Sequence, residues 1–118
     1  MKAKDIKNKK SYIELLDGKH EITFDFNALE ELETTYGSMD IAIQEFSGDI
    51  KIKAIKSFMC AGINACIEDE EKHLTPYQLG KLLSIQETPN YVDILTAVFD
   101  RAMPEDEPSE NESEPEKN

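Results

Sequence analysis

Side chains suited to metal or covalent chemistry are scarce in this chain of 118 residues, which has two cysteines, Cys60 and Cys66, and two histidines, His20 and His73. Their C-x5-C-x6-H spacing lacks the close Cys-x2-Cys pair and the fourth ligand of a structural zinc site, so no metal site is expected. Six residues apart on one helix, the two thiols point from different faces and cannot bridge. They read as free thiols of a reducing compartment. Neither histidine sits beside a serine or cysteine in a strand-turn-helix elbow. The five glycines are scattered at 18, 37, 48, 62 and 80, so there is no GxGxxG and no phosphate-cradling loop, and no cofactor is expected. Asp69, Glu70 and Glu71 lack the glycine-punctuated spacing of a calcium loop. No catalytic residue is assigned. No run of eighteen apolar residues exists to span a membrane. The start, MKAKDIKNKK, is basic, but no apolar stretch follows it as in a secretory signal, so a cytoplasmic protein is expected.

What is abundant is negative charge, a net of −12. It is unevenly spread. Residues 1–10 hold five lysines and one aspartate, while residues 104–118 hold seven acids and one lysine. An acidic body and tail disfavour nucleic acid, whose binding draws on phosphate neutralisation. The tail, PEDEPSENESEPEKN, has three prolines and no aliphatic or aromatic side chain, so it cannot offset the entropy of ordering and reads as disordered. The expected organisation is a basic flexible N-terminus (1–10), one compact domain (11–103) and a disordered acidic tail (104–118).

Within the domain the patterning predicts an α+β fold, mainly α: an N-terminal β-hairpin, then about five short helices. Ile22, Phe24 and Phe26 alternate with polar residues on one strand, and Asp17-Gly18 marks the turn. Asn27 is placed to cap the first helix, with Glu30 in the capping-box position and Leu29, Leu32 and Tyr36 on its face. Glu30, Glu31 and Glu33 gather there, but acids early in an amphipathic helix suit its positive end and its wet side. Gly37 suits the helix end. Ser38 caps a second helix with Met39, Ala42, Ile43 and Phe46 inward and Ile41 outward. The third, about 50 to 67, is apolar nearly all round, with Lys53, Ser57 and Asn64 on a narrow polar strip, which marks a central helix. Its small residues Ala61, Gly62 and Ala65 leave room for a close neighbour. Thr75-Pro76 and Thr88-Pro89 each open a further helix. The fourth shows Leu79, Leu82 and Leu83, and the fifth Tyr91, Leu95, Val98, Phe99 and Ala102.

The order of these pieces carries a resemblance. A hairpin with D-G-K at its turn is followed by F-x-F-N-A-L-E-E-L-E-x-x-Y-G-S, then D-I-K-x-x-x-I-K-x-F-x-x-A-G-I, then L-T-x-x-Q-L-G-K-L-L. These are the stretches Phe24 to Ser38, Asp49 to Ile63 and Leu74 to Leu83. Across residues 11 to 103 the chain resembles the tail assembly chaperones of long-tailed bacteriophages and prophages, including relatives in gene transfer agents. The resemblance implies a non-enzymatic protein of the bacterial host cytoplasm. Such chaperones bind the long, apolar, helical tape measure protein and keep it soluble while tube subunits polymerise around it. They are absent from the finished virion. Many have a longer form, made by translational frameshifting, whose added segment is thought to recruit tail tube protein. The acidic tail is not part of the shared pattern.

The expected partners are therefore the tape measure protein, with tail tube protein and self-association as further contacts, and neither nucleic acid nor membrane. The expected binding surface is Ile41 with Phe46, Phe58, Met59 and Ile63, an apolar face suited to a helix laid into a groove. Rival readings are a minor tail or tail-completion protein that stays in the particle, and a small acidic regulator or inhibitor.

Overall fold

The structure is a computed structural model and describes residues 10–103. Residues 1–9 of the basic arm and the acidic tail from residue 104, expected above to be flexible and disordered, lie outside the described residues. Strands β1 (Ser11–Leu15) and β2 (Gly18–Ile22) form an antiparallel hairpin. Five α-helices follow among the described residues: α1 (Phe26–Tyr36), α2 (Met39–Glu45), α3 (Ile52–Asn64), α4 (Pro76–Gly80) and α5 (Thr88–Ala102). Short 3-10 turns at Glu70–Lys72 and Ile85–Glu87 precede α4 and α5. This is the α+β, mainly helical architecture read from the sequence.

Strand register places Ile13 opposite His20 and Ser11 opposite Ile22. Residues that face each other share a side of the sheet, so Ile13, Leu15 and Ile22 form one buried face, which Phe24 extends. On the other face Lys19 reaches over the Tyr12 ring at 5.3 Å. The turn itself is Leu16-Asp17, one residue earlier than expected. Gly18 opens β2 at φ 126°, a conformation that side-chain-bearing residues rarely adopt.

The strand pattern does not run on to Phe26. Asp25, not Asn27, caps α1, its Oδ1 accepting from the Ala28 N–H at 3.0 Å. The helix therefore starts at Phe26, whose side chain is turned outward and is 88% exposed. With the cap two residues early, Glu30 has no capping-box role. That motif occurs instead at α4: Thr75 Oγ1 accepts from the Gln78 N–H, and Gln78 Oε1 accepts from the Thr75 N–H. Gly37 ends α1 at φ 93°, and Ser38 caps α2 by accepting from the Ile41 N–H, as expected. On α2, Ala42 is buried, while Ile43 is exposed alongside Ile41. Thr88 does not cap α5; its hydroxyl donates to Ile85 O at 2.7 Å and holds the preceding turn.

Helix α3 is the centre of the fold, shorter at both ends than expected. Every residue from Ala54 to Asn64 except Lys56 is buried. The hairpin, α1, α4 and α5 all pack against it. This covers part of the strip that looked polar: Lys53 stays exposed, but Ser57 and Asn64 are buried. Ile52, expected inside, is exposed because it precedes the surrounded part of the helix. Phe58 anchors an aromatic cluster. Phe46 stacks on it at 4.4 Å between ring centroids, and Phe24 and Phe99 meet it edge-on at 6.1 and 5.5 Å.

Three long-range contacts fix the hairpin. The Thr23 N–H donates to Gly62 O at 3.1 Å, satisfying a carbonyl in the last turn of α3. At Gly62 a Cβ would lie 2.7 Å from Ile22 Cγ1 and 3.2 Å from Thr23 O, so only glycine admits the strand this close. The Leu16 N–H donates to Leu82 O at 2.9 Å. The Arg101 guanidinium donates to Ser11 Oγ at 3.0 Å, joining the end of α5 to the start of β1. No helix among the described residues is long and apolar enough to cross a membrane.

Candidate functional site

Of the residues expected to meet a partner, Phe58, Met59 and Ile63 are fully buried. The correction follows from the position of α3. A helix enclosed by four elements spends its apolar arc on the core and leaves none for a second protein. Phe46 is partly buried against Phe58. Ile41 alone keeps a largely accessible side chain, on α2 beside the exposed Ile43.

Among the concavities of the described residues, one is acid-lined and another is apolar. The first, about 680 Å³, lies between α1 and the loop after α3 and is lined by Asn27, Glu30, Glu31, Thr34, Asn64, Glu68, Glu70 and His73, among others. Its floor is built by local hydrogen bonding. Buried Asn64 acts on Leu74 as a backbone would: Oδ1 accepts from the Leu74 N–H and Nδ2 donates to the Leu74 carbonyl, each at 2.8 Å. The Cys60 thiol donates to that same carbonyl. His73 Nε2 donates to Ile67 O at 2.7 Å. Asp69 Oδ1 accepts from the Glu71 N–H and shapes the 3-10 turn. Burial raises the Glu31 carboxyl above its ordinary pKa, partly opposed by His73. Glu30 and Glu33 are exposed. Among the described residues no three His, Cys, Asp or Glu side chains converge as a metal ion would require.

Both thiols are free and held in the neutral form. Burial, reinforced by the Glu31 charge and opposed by an Asn64 hydrogen bond, pushes Cys60 up to about 11. Burial, with the charges of Glu21 and Asp25 and opposed by Lys10, does the same for Cys66, to about 11. Such thiols are poor nucleophiles near neutrality, because the thiolate is the reacting species.

The second concavity, about 240 Å³, is mostly apolar. It lies where the start of α3 meets the end of α4 and the start of α5, and is lined by Ile52, Ile55, Lys56, Gly80, Leu83, Ser84, Ile85, Thr88 and Tyr91. Tyr91 is buried, and its Oη accepts from the Ser84 N–H at 2.9 Å, which fixes the connection between α4 and α5. Held this way, the 3-10 turn presents Ile85 at 91% exposure, facing Ile52 at 63%. Tyr77, a turn before Gly80 on the same face of α4, is 71% exposed. Sequence patterning passed over this groove because Ile85 belongs to no amphipathic face. The one signal it offered was an isoleucine in a polar connection between two helices, where nothing local gives it a burial partner.

The arrangement suits capture of an apolar segment. A preformed groove with large apolar side chains at its lip exposes surface that a second protein can cover, and anchors from one face of a helix fit such a groove. Ile41 and Ile43 lie outside its lining. No known protein family, no curated protein and no solved structure matches the chain.

Proposed function

We propose that this protein is a tail assembly chaperone of a long-tailed phage or prophage, which binds the tape measure protein without catalysis and keeps it soluble while the tail tube polymerises. The observation that carries the reading is the apolar groove with exposed Ile52 and Ile85 at its lip. Further support comes from where the three stretches of the resemblance fall. Phe24 to Ser38 is the strand exit, α1 and the cap of α2; Asp49 to Ile63 is nearly all of α3; Leu74 to Leu83 is capped α4 and the segment that receives the hairpin turn. Together they include much of the groove's frame. The physical logic is coverage: a long apolar helix aggregates through exposed patches, and a coat of small proteins each carrying a net charge of −12 makes the complex self-repelling.

The test is co-expression with a phage tape measure protein. Soluble tape measure co-purifying with the chain is the expected result. Ile85→Asp should abolish it while leaving the fold intact, since Ile85 contributes almost nothing to the core. Ile41→Glu, run in parallel, asks whether α2 shares in the contact. Mass spectrometry of purified particles should find the chain absent. Its presence at stoichiometric level would replace this reading with that of a minor tail protein.

A further inference from the structure

We propose that the apolar groove selects an amphipathic helix whose apolar stripe is flanked by carboxylates. The inference rests on the partner-binding reading above and adds the charge of the partner. Its basis is the distribution of lysines. Lys56 is part of the groove lining, and its terminal atoms pass close over Gly80: a Cβ there would sit 3.4 Å from both Cε and Nζ. Lys81 follows Gly80, with its Nζ 5.1 Å from the centre of the Tyr77 ring. Lys51 immediately precedes Ile52, and both are exposed. One cation therefore lines the apolar depression, and two more directly neighbour its lining residues Ile52 and Gly80 in sequence, in a chain of net charge −12.

Among the described residues none of these three lysines has a carboxylate within 4 Å, and Lys81 meets only the Tyr77 ring. Among the described residues the one side-chain ion pair within 4 Å is His20 with Asp17, in the hairpin. Glu87, the acid beside the groove's far wall, takes a hydrogen bond from the Asn90 amide. An apolar stripe would fill the groove, and acids beside that stripe would meet Lys56 and Lys81. The chain's own residues 104–118 offer acids but no aliphatic or aromatic side chain, so they match the edge of the groove and not its lining.

The prediction opposes the one that net charge alone would make. A chain at −12 should favour a basic helix. At about 0.15 M salt the Debye length is about 8 Å, so contacts at the groove outweigh the field of the distant acids. Two peptides test this. They share one apolar stripe and differ in having glutamate or lysine beside it, and each is titrated into the full chain by calorimetry with amide-shift mapping. The glutamate peptide should bind about fivefold tighter, the effect of two partly exposed pairs, and shift amides around Ile52, Gly80 and Ile85. Lys56→Glu with Lys81→Glu should invert the preference. Equal binding, tighter binding of the lysine peptide, or shifts mapping elsewhere would overturn the proposal. So would a dimer dispersed by Ile85→Asp, which would assign the groove to a second copy. The outcomes separate the two readings. If Ile85→Asp abolishes tape measure solubilisation but the charge reversal leaves the peptide preference unchanged, the chaperone reading stands and the charge inference fails.

Discussion

Substituting Gly62 by alanine sets two well-measured effects against each other. In a helix interior alanine is favoured over glycine by about 1 kcal/mol, so helix propensity alone predicts a stabilised protein. The surroundings predict the reverse. The new methyl would stand 2.7 Å from Ile22 Cγ1 and 3.1 Å from its Cδ1, far inside the carbon–carbon optimum of about 3.5–4.0 Å. Ile22 is buried and cannot swing into solvent. The third neighbour, Thr23 O at 3.2 Å, is backbone. Relief requires the strand to back away from α3, which stretches the bond from Thr23 N–H to Gly62 O. Overpacking costs about 1–3 kcal/mol and the bond contributes about 1 kcal/mol. After the propensity gain, Gly62→Ala should destabilise by about 1–3 kcal/mol. With a urea slope near 1 kcal/mol per molar, the midpoint falls by about 1–3 M. A double-mutant cycle with Ile22→Ala localises the cause: removing the clashing atoms should make the second substitution cheaper than it is alone. A midpoint at or above that of the parent would refute the close-approach argument.

Other substitutions probe caps, the loop clamp and the thiols. Asp25→Ala should cost about 1 kcal/mol as a lost N-cap, while Asn27→Ala should be close to neutral; thermal melts showing the reverse would move the start of α1. Asn64→Ala removes both bonds to Leu74 and leaves a half-buried N–H without its partner, a loss of about 1–3 kcal/mol, with rapid hydrogen exchange at the Leu74 amide as its local signature. Both thiols should alkylate about a hundredfold more slowly at pH 8 than a thiol titrating near 9, because so little thiolate is present at either. Since the folded state keeps protons that the unfolded chain releases near 9, stability should fall as pH climbs from about 9 to 11. A flat urea midpoint across that range would contradict the burial of Cys60.

The legible parts of the fold were those in which local chemistry and burial agree. Gly37, Ser38 and the pair Thr75-Pro76 mark boundaries by backbone geometry, and they stand where the sequence puts them. The centrality of α3 follows from its composition. Pattern and structure part where two local signals compete. Asp25 and Asn27 can each cap a helix, and choosing the later one kept Phe26 on the strand. Asn64 looks like solvent-facing polarity because its partner, the backbone of Leu74, has no side-chain signature. The binding surface was hardest to read, because apolar residues of core and surface look alike in one dimension. Phe58 and Ile85 differ only in what the rest of the chain brings to them.

The bond between Arg101 and Ser11 spans ninety residues of sequence and brings the start of β1 and the end of α5 side by side. Cyclic rearrangement of the chain is then a small step, since adjacent ends tolerate being joined. A chain running from Asp49 to Met103, through a short glycine-serine linker, and on from Lys10 to Gly48 would keep every element whole. The new ends would open in the exposed segment between α2 and α3, and the connectivity of this fold could change without disturbing its shape.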